Sequence, residues 1–127
     1  MKAQVINLRF PDNFLPLKVT PQDRCVALSE FGGYSWHIPE HSFTPGEFGY
    51  RKYHTRTTLT MAIDVLYKRD LFPNLAKGLS ATVYTEVSDV EDETNGLLTY
   101  DREVTKVNSE TIRRINRELM EAFESLV

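Results

Sequence analysis

A glutamate, two glycines, three large aromatic residues and a histidine follow a short apolar run near the start of the chain. The run spans residues 25–28 (CVAL), and residues 29–37 read SEFGGYSWH. A carboxylate at the end of a buried strand suits sugar chemistry, because it can attack or stabilise an oxocarbenium-like centre while aromatic rings pack on the sugar. The pattern predicts Glu30 as a candidate catalytic carboxylate, with Tyr34 and Trp36 lining a sugar pocket. The alternative is that Glu30 is solvated or caps a helix.

Metal and cofactor chemistry have little support in the residue pattern. The chain has one cysteine and three histidines, and their positions do not have the spacing of a zinc site. Cys25 lies in an apolar run, so we expect it to be a small buried hydrophobe. Glu91, Asp92 and Glu93 predict a solvated acidic loop, with a calcium site as the alternative. We therefore expect neither a metal nor a cofactor.

Composition limits the class of partner. The chain has 127 residues, 41% of them hydrophobic and 26% charged, and a net charge of −3. This length suits one domain, and the acidic balance disfavours a nucleic-acid partner. No apolar run reaches the roughly 20 residues that span a bilayer, and no leader pattern begins the chain. We expect no nucleic acid, no membrane and a cytoplasmic location.

Alternating strands and helices must position these candidate residues. Residues 25–29 form a continuous apolar run, typical of a strand covered on both faces of a parallel sheet. Helical spacing predicts a helix over residues 57–69, and period-two alternation predicts a strand over residues 79–87. A last helix should begin near Ser109, with Asn108 or Ser109 as its cap. This order favours an α/β fold with a parallel sheet.

A long loop and an N-terminal arm complete the prediction. Residues 31–55 contain many aromatic residues, and a loop of this length is usually functional. Pro73 predicts a kink or a restart after the first helix. We divide the chain into an irregular N-terminal arm, residues 1–24, and a single structural unit, residues 25–127.

Two segments resemble one enzyme family. Residues 29–35, SEFGGYS, resemble the nucleophile segment of glycoside hydrolase family 2, the family of β-galactosidases and β-glucuronidases. Residues 78–102, GLSATVYTEVSDVEDETNGLLTYDR, resemble its last barrel strand and the loop after that strand. The resemblance covers residues from about 25 to 125. It implies a partial (β/α)8 barrel, namely the last two strand–helix units with a long aromatic-rich loop, so that residues 25–127 are expected to be the C-terminal part of a glycosidase barrel domain.

The resemblance also implies roles for single residues. Glu30 falls at the nucleophile of a retaining β-glycosidase, and Tyr84 falls where an aromatic ring commonly floors the sugar site. The family's acid/base glutamate follows an asparagine upstream of the nucleophile, and no Asn-Glu pair precedes Glu30 here. Glu86 is the nearest internal candidate, although the family gives it no such role. We therefore expect a glycosidase fragment that carries the nucleophile, lacks the acid/base and is inactive alone.

Other functions and partners remain open at this point. The alternative to a glycosidase fragment is a non-catalytic module that binds carbohydrate or protein, which the aromatic-rich loop and the missing acid favour. A whole barrel needs roughly 250 residues, and unpaired sheet edges recruit partners. We therefore expect a carbohydrate substrate, together with self-association or pairing with the missing barrel portion. The sequence does not specify the sugar or the linkage.

Overall fold

A small parallel sheet with helices packed on it forms the fold. The structure is a computed structural model, and it describes residues 2–6 and 24–127. Three parallel strands, β1 (Lys2–Ile6), β2 (Arg24–Gly32) and β5 (Leu79–Thr85), form one sheet in the order β1-β2-β5. A second sheet pairs β3 (Tyr34–Ser35) with β4 (Arg51–Lys52), also in parallel.

The helices begin and end where local chemistry dictates. Helix α1 (Arg56–Leu66) begins after Thr55, whose hydroxyl accepts the N–H of Thr58 at 3.1 Å. A π-helical segment (Tyr67–Leu71) follows, and α2 (Phe72–Leu75) restarts with a proline in its first turn. This restart confirms the prediction drawn from Pro73, because proline lacks an N–H and is tolerated at the start of a helix.

The last helix matches its predicted start. Helix α3 (Ser109–Glu124) is capped by Asn108, whose side-chain oxygen accepts the N–H of Thr111 at 2.9 Å. Glu110 lies in its first turn, where the helix dipole favours a negative charge. Ile115 is buried, whereas Ile112, Leu119 and Phe123 are partly exposed. The predicted apolar stripe therefore exists but is deeply covered only at its centre.

An apolar core lies between the sheet and the helices. Strands β2 and β5 bring Val26, Leu28, Phe31 and Leu79 against α1 and α3. Each fully buried aliphatic side chain contributes about 1.5–3 kcal/mol through removal of its surface from water. The opposite side of β5 is not covered by the residues that the structure describes, and Val83 is 58% exposed there. From the helical side, the apolar core cluster includes Leu59, Ile63, Leu66, Tyr67, Leu71 and Ile115.

The predicted partial (β/α)8 barrel is wrong. Within residues 2–6 and 24–127 the strands form one open three-stranded sheet and one two-stranded sheet, and no barrel closes. A barrel of this type closes with eight strands, and three strands about 4.8 Å apart cannot curl back on themselves. The structure is a small α/β fold. Its alternation of parallel strands and helices agrees with the α/β class predicted from the pattern.

Two details of the predicted organisation also differ in the structure. The strand predicted at residues 25–29 extends to Gly32, and the stretch from residue 33 to 55 contains β3, β4 and a short 3₁₀ turn (Pro39–His41). Lys2–Ile6 is a strand within the segment predicted as an arm. Residues 7–23 lie outside the described residues, so the division of the chain at residue 24 stays a prediction.

Candidate functional site

Glu30 lies at an irregularity near the carboxyl end of β2. Leu28 pairs with Thr82 and Phe31 pairs with Tyr84, so three steps along β2 match two along β5. The extra residue is a β-bulge, a feature that re-aims a side chain and is common beside active sites. Leu28 and Phe31 are buried in the core, whereas Glu30 is partly exposed. The bulge therefore keeps the carboxylate out of the core at the end of the sheet where the long loops emerge.

Tyr84 faces the core. Its ring packs edge-on against Phe31, with ring centroids 5.3 Å apart, and its hydroxyl is buried without a hydrogen-bond partner among the described side chains. The ring also lies over Gly32, where a Cβ atom would come within 2.5 Å of it. Gly32 has φ +95°, so the position favours glycine both for space and for backbone conformation. Phe31, rather than Glu30, shares the face on which Tyr84 lies.

A pocket of about 220 Å³ adjoins Tyr84 on the helical side of the sheet. It is lined by Phe31, Ile63, Tyr67 and Ile112, with Asn116 at its polar end. Burial raises the pKa of Tyr67 to about 12, because removal from water disfavours the charged form. The structure therefore places the Tyr84 ring in an apolar environment, and its predicted role as the floor of a sugar site stays a prediction.

Tyr34 and Trp36 lie on the segment that leaves β2. Tyr34 is buried, with its ring 5.5 Å from that of Tyr53 and the guanidinium of Arg51 6.0 Å from its centroid. Burial is also the main cause of the raised pKa of Tyr34. Trp36 is partly exposed, and its backbone N–H donates to the carbonyl of Thr94 at 3.0 Å. Of the two predicted pocket residues, Trp36 retains more accessible surface.

Hydrogen bonds join the two long loops at this end of the sheet. The N–H of Thr94 donates to the carbonyl of Phe48 at 3.0 Å, and the N–H of Phe48 donates to the carbonyl of Asp92 at 2.8 Å. The hydroxyls of Ser35 and Thr94 are hydrogen-bonded at 2.7 Å, and Ser35 also donates to Glu47 at 3.1 Å. Glu47 forms an ion pair with Lys52 at 3.0 Å. The loop before α1 and the loop after β5 therefore form one hydrogen-bonded unit.

A fully buried ion pair anchors the loop after β5. The ammonium group of Lys106 donates to Asp89 at 2.7 Å and to the carbonyl of Thr94 at 2.8 Å. The second oxygen of Asp89 has no partner among the described residues, while the first also accepts the N–H of Gly96 at 2.8 Å. Burial raises the pKa of Asp89 and lowers that of Lys106. Both directions follow from loss of solvation by the charged forms.

Along the chain, Glu86 lies between β5 and the buried Asp89. It follows β5 directly, after a cis peptide bond to Thr85, and its carbonyl accepts the N–H of Leu97 at 3.0 Å. Its Oε1 atom is buried without a hydrogen-bond partner in residues 24–127, although the side chain as a whole is partly exposed. Burial, followed by the nearby carboxylates of Glu93 and Asp89, raises the pKa of Glu86 to about 7. Glu30 contributes to the same shift.

Exposed aromatic rings cover the outside of the two loops. Phe43 and Tyr100 stack with centroids 4.9 Å apart, and Phe48 and Tyr50 meet at 6.3 Å. The exposed fractions of these four side chains lie between 39% and 55%. Rings with this much free surface are available to a ligand. The sequence pattern identified the loop as aromatic-rich but did not distinguish these rings from the buried ones.

In the part of the chain that the structure describes, one group of side chains could hold a metal ion. Ligand atoms of His41, Asp101 and Glu103 lie within 4.8 Å of one another. The Nδ1 atom of His41 is already 2.7 Å from Asp101, and this hydrogen bond raises the pKa of His41. Hydrogen bonds from Thr99, Glu103 and His41 lower the pKa of Asp101 to about 2. Sixty residues separate His41 from Asp101, so the spacing of the histidines did not indicate this contact.

The structure therefore brings together some predicted site residues and separates others. Glu30 lies near the carboxyl end of β2 and Glu86 directly follows β5, whereas Tyr84 packs against the core on the helical side. The sequence reasoning missed Lys106, Asp89 and the exposed aromatic pairs. The apolar neighbours of Asp89, Val87 and Val90, gave no sign of its burial, because the loop has no regular period.

Comparison with known proteins adds no relationship. No family model and no curated protein matches the chain. The resemblance to glycoside hydrolase family 2 therefore stays a prediction carried by residues 29–35 and 78–102. Among residues 2–6 and 24–127, no helix has the length and apolar character needed to cross a membrane.

Proposed function

We propose that this chain contributes the nucleophile of a retaining β-glycosidase, with Glu30 in that role. The observation that carries the proposal is the β-bulge at Glu30, which keeps a partly exposed carboxylate at the carboxyl end of a parallel strand. Loops at this end of parallel strands are the usual location of active sites. The resemblance of residues 29–35 to a family 2 nucleophile segment gives the same residue.

The proposed chemistry needs one group besides Glu30. The carboxylate attacks the anomeric carbon, the bond to the leaving oxygen breaks, and a glycosyl ester forms on Glu30. The leaving oxygen takes a proton from a second carboxyl group, and water later hydrolyses the ester. By resemblance that acid/base glutamate lies outside residues 25–127. We therefore propose that the chain alone turns over glycosides very slowly or not at all.

Tyr84 and Tyr34, two of the residues expected to contact the sugar, have rings that pack against other side chains. The ring of Tyr84 packs on Phe31, and Tyr34 is buried against Tyr53. Trp36 also packs against the core, but it is partly exposed and lies on the segment just after Glu30. Because a pyranose needs an uncovered ring face to stack on, we propose Trp36 as the stacking residue beside Glu30.

Covalent labelling tests the role of Glu30 without help from an acid. A 2-deoxy-2-fluoro-β-glycosyl fluoride carries a leaving group that departs without protonation, so a nucleophile alone suffices. We expect intact-mass spectrometry to show one added glycosyl group, and peptide mapping to place it on Glu30. Galactosyl and glucosyl fluorides should both be tried.

Matched variants complete this experiment. Glu30→Gln should abolish labelling, whereas Glu40→Gln, at an exposed glutamate of the following loop, should leave it unchanged. A chain that acquires no label, or acquires it equally in Glu30→Gln, would contradict the proposal.

A non-catalytic carbohydrate-binding module is the second candidate. The exposed pairs Phe43–Tyr100 and Phe48–Tyr50 favour it, because uncovered rings are binding surfaces for sugars whether or not a nucleophile is present. Titration with galactose, glucuronate and short oligosaccharides, followed by the fluorescence of Trp36, tests it. Saturable binding that survives Glu30→Gln, with no covalent label, supports the module over the glycosidase.

We also propose that the chain associates with itself or with another polypeptide through the edge of β5. In the described part of the chain, this strand is hydrogen-bonded to β2 on one side only, and unpaired strand edges recruit partners. A mass measurement in solution that gives a monomer at high concentration would contradict self-association. The cytoplasmic location stays a prediction from composition.

A further inference from the structure

We infer that Lys106 is a positioning residue for Trp36, the ring proposed to stack on the sugar, and that it acts through the backbone carbonyl of Thr94. The inference rests on the proposed carbohydrate function of the Glu30 site and adds to it a residue that does not touch the ligand. The side chain of Lys106 is fully buried, so it can act on the site only through the groups that it contacts.

One carbonyl oxygen joins Lys106 to Trp36. The carbonyl of Thr94 accepts the ammonium group of Lys106 at 2.8 Å and the backbone N–H of Trp36 at 3.0 Å. Thr94 is buried, so water does not compete for this oxygen. The hydrogen bond from the charged ammonium is the stronger of the two, because a charged donor binds more tightly than a neutral amide. The position of the Thr94 carbonyl, and with it the backbone of Trp36, therefore depends on Lys106.

The ammonium group is itself held at a fixed point. Its second acceptor is the fully buried Asp89 at 2.7 Å, and the same carboxylate oxygen accepts the N–H of Gly96 at 2.8 Å. At the other end of the side chain, the backbone N–H of Lys106 donates to the carbonyl of Leu97 at 2.8 Å. A lysine bound at both ends has lost the rotamer freedom that it has in solvent. Lys106 therefore holds the loop after β5 through contacts that have no slack.

The segment that Thr94 holds carries the proposed sugar contacts. The hydroxyl of Thr94 is hydrogen-bonded at 2.7 Å to that of Ser35, the buried residue before Trp36. The Trp36 ring packs in part against the core and is exposed in part. A ring that stacks on a sugar must keep a defined position relative to Glu30, because small displacements of a bound substrate from its nucleophile are costly. Release of Thr94 should therefore weaken sugar binding at Trp36.

A variant that loses the ammonium group without leaving a buried charge tests the inference. Lys106→Met with Asp89→Leu removes both charges of the pair, and the charged donor to the Thr94 carbonyl is lost with them. The probe is the 2-deoxy-2-fluoro-β-glycosyl fluoride that labels Glu30. We expect the probe concentration for half-maximal labelling rate to rise about tenfold and the maximal rate to change less than about twofold, because stacking contributes to binding before the reaction.

Fluorescence gives a second readout in the ligand-free chain. Trp36 is the one tryptophan of the sequence, so its emission and its quenching by iodide report on this ring alone. The double variant should be quenched more strongly than the wild type, because the ring is held less firmly against the core. Ile63→Ala is the matched control, since it removes a buried side chain on α1. It should lower stability and keep wild-type quenching and wild-type labelling.

A thermodynamic cycle separates positioning from stability. Trp36→Ala removes the ring and should itself raise the probe concentration for half-maximal labelling. In that background the double change at Lys106 and Asp89 should cause no further rise, because residues that act through one another are not additive.

The outcomes separate this inference from the proposed function. A double variant with wild-type quenching and wild-type labelling overturns the role of Lys106 and leaves Glu30 as the nucleophile. A rise that persists in Trp36→Ala, or that Ile63→Ala reproduces, also overturns it, because Lys106 would then act through stability alone. A wild-type chain that takes no label refutes the proposed function itself, and the role of Lys106 within it fails as well.

Discussion

The interior between the sheet and the helices is apolar, whereas the interior under the loops at the carboxyl ends of β2 and β5 is polar. The first is built from aliphatic and aromatic side chains such as Leu59, Ile63 and Phe31. The second contains the buried pair Lys106–Asp89 and the hydroxyl contact between Ser35 and Thr94. Both interiors exclude water, yet they depend on different interactions.

The two interiors differ in how much stability a single substitution removes. An apolar core loses stability in proportion to the atoms removed, because packing is non-directional and neighbours relax in part. A buried polar cluster loses much of its stabilising effect when a single partner is removed, since the other partner is left charged or unpaired away from water. The functional candidates Glu30 and Glu86 lie beside the polar interior. Among the described residues of the loop after β5, Oε1 of Glu86, Oδ2 of Asp89 and Oδ1 of Asn95 are buried without a hydrogen-bond partner.

Removing Lys106 should have the largest effect. Lys106→Met leaves the carboxylate of Asp89 buried without its cation, so we expect a loss of about 3–5 kcal/mol in the free energy of unfolding. Urea unfolding followed by circular dichroism measures it. Lys77→Met, at an exposed lysine, should change stability by less than about 0.5 kcal/mol.

A double variant tests whether the loss of stability in Lys106→Met comes from the unpaired carboxylate of Asp89. Lys106→Met with Asp89→Leu removes both charges, and it should recover much of the lost stability, because an apolar pair of similar volume replaces the ion pair without leaving a buried charge. If the double variant were less stable than Lys106→Met alone, the loss would not come from an unpaired Asp89.

Truncating the apolar core should have the next largest effect. Ile63→Ala removes a buried side chain on α1 that packs against the sheet, and we expect a loss of about 2–4 kcal/mol. Met61→Ala changes a side chain that is 63% exposed on the same helix and should cost less than about 0.5 kcal/mol. Equal effects of the two changes would mean that α1 does not pack as described.

The smallest effect should come from Glu86 at the boundary between the two interiors. Its folded pKa of about 7 exceeds its usual value of 4.5. The unfolded chain therefore releases this proton at a lower pH than the folded chain does. As a result, the free energy of unfolding falls as pH rises from about 4.5 to about 7, and it is level above that range. As pH rises through this range, the wild type should lose less than about 1 kcal/mol in the free energy of unfolding relative to Glu86→Gln, because solvent screens a partly exposed group.

Urea unfolding of both proteins at pH 5 and pH 8 measures this difference. The opposite sign, with the wild type gaining stability relative to Glu86→Gln as pH rises, would show that the carboxylate is favoured in the folded state.

Local patterns predicted much of the fold. Period-two alternation located β5, helical spacing located α1 and α3, and the side chain of Asn108 marked the start of α3, because each of these depends on neighbours within a few residues. Pro73 likewise marked the restart at α2. The barrel was wrong because a two-unit strand–helix pattern does not determine how many strands a sheet contains or whether it closes.

The candidate site was predictable only in part. Glu30 and Trp36 stood out by type and position, and the structure leaves both partly exposed beside the loops. Tyr84 stood out equally, yet its ring faces the helices. The bulge between Leu28 and Phe31 decides which residue of β2 shares the face of Tyr84, and a shift of one residue in register reverses the side to which a side chain points.

The amino-acid sequence by itself determined where β2, β5, α1 and α3 lie, that the fold is α/β, and that a carboxylate lies near the end of an apolar strand. Only the tertiary structure decided that Lys106 and Asp89 meet in the interior, that His41 contacts Asp101, and that one carboxyl oxygen of Glu86 is buried. The physical reason is the distance along the chain over which each effect acts. Backbone propensities and caps act over a few residues, whereas burial and charge depend on groups that lie up to sixty residues apart in the chain.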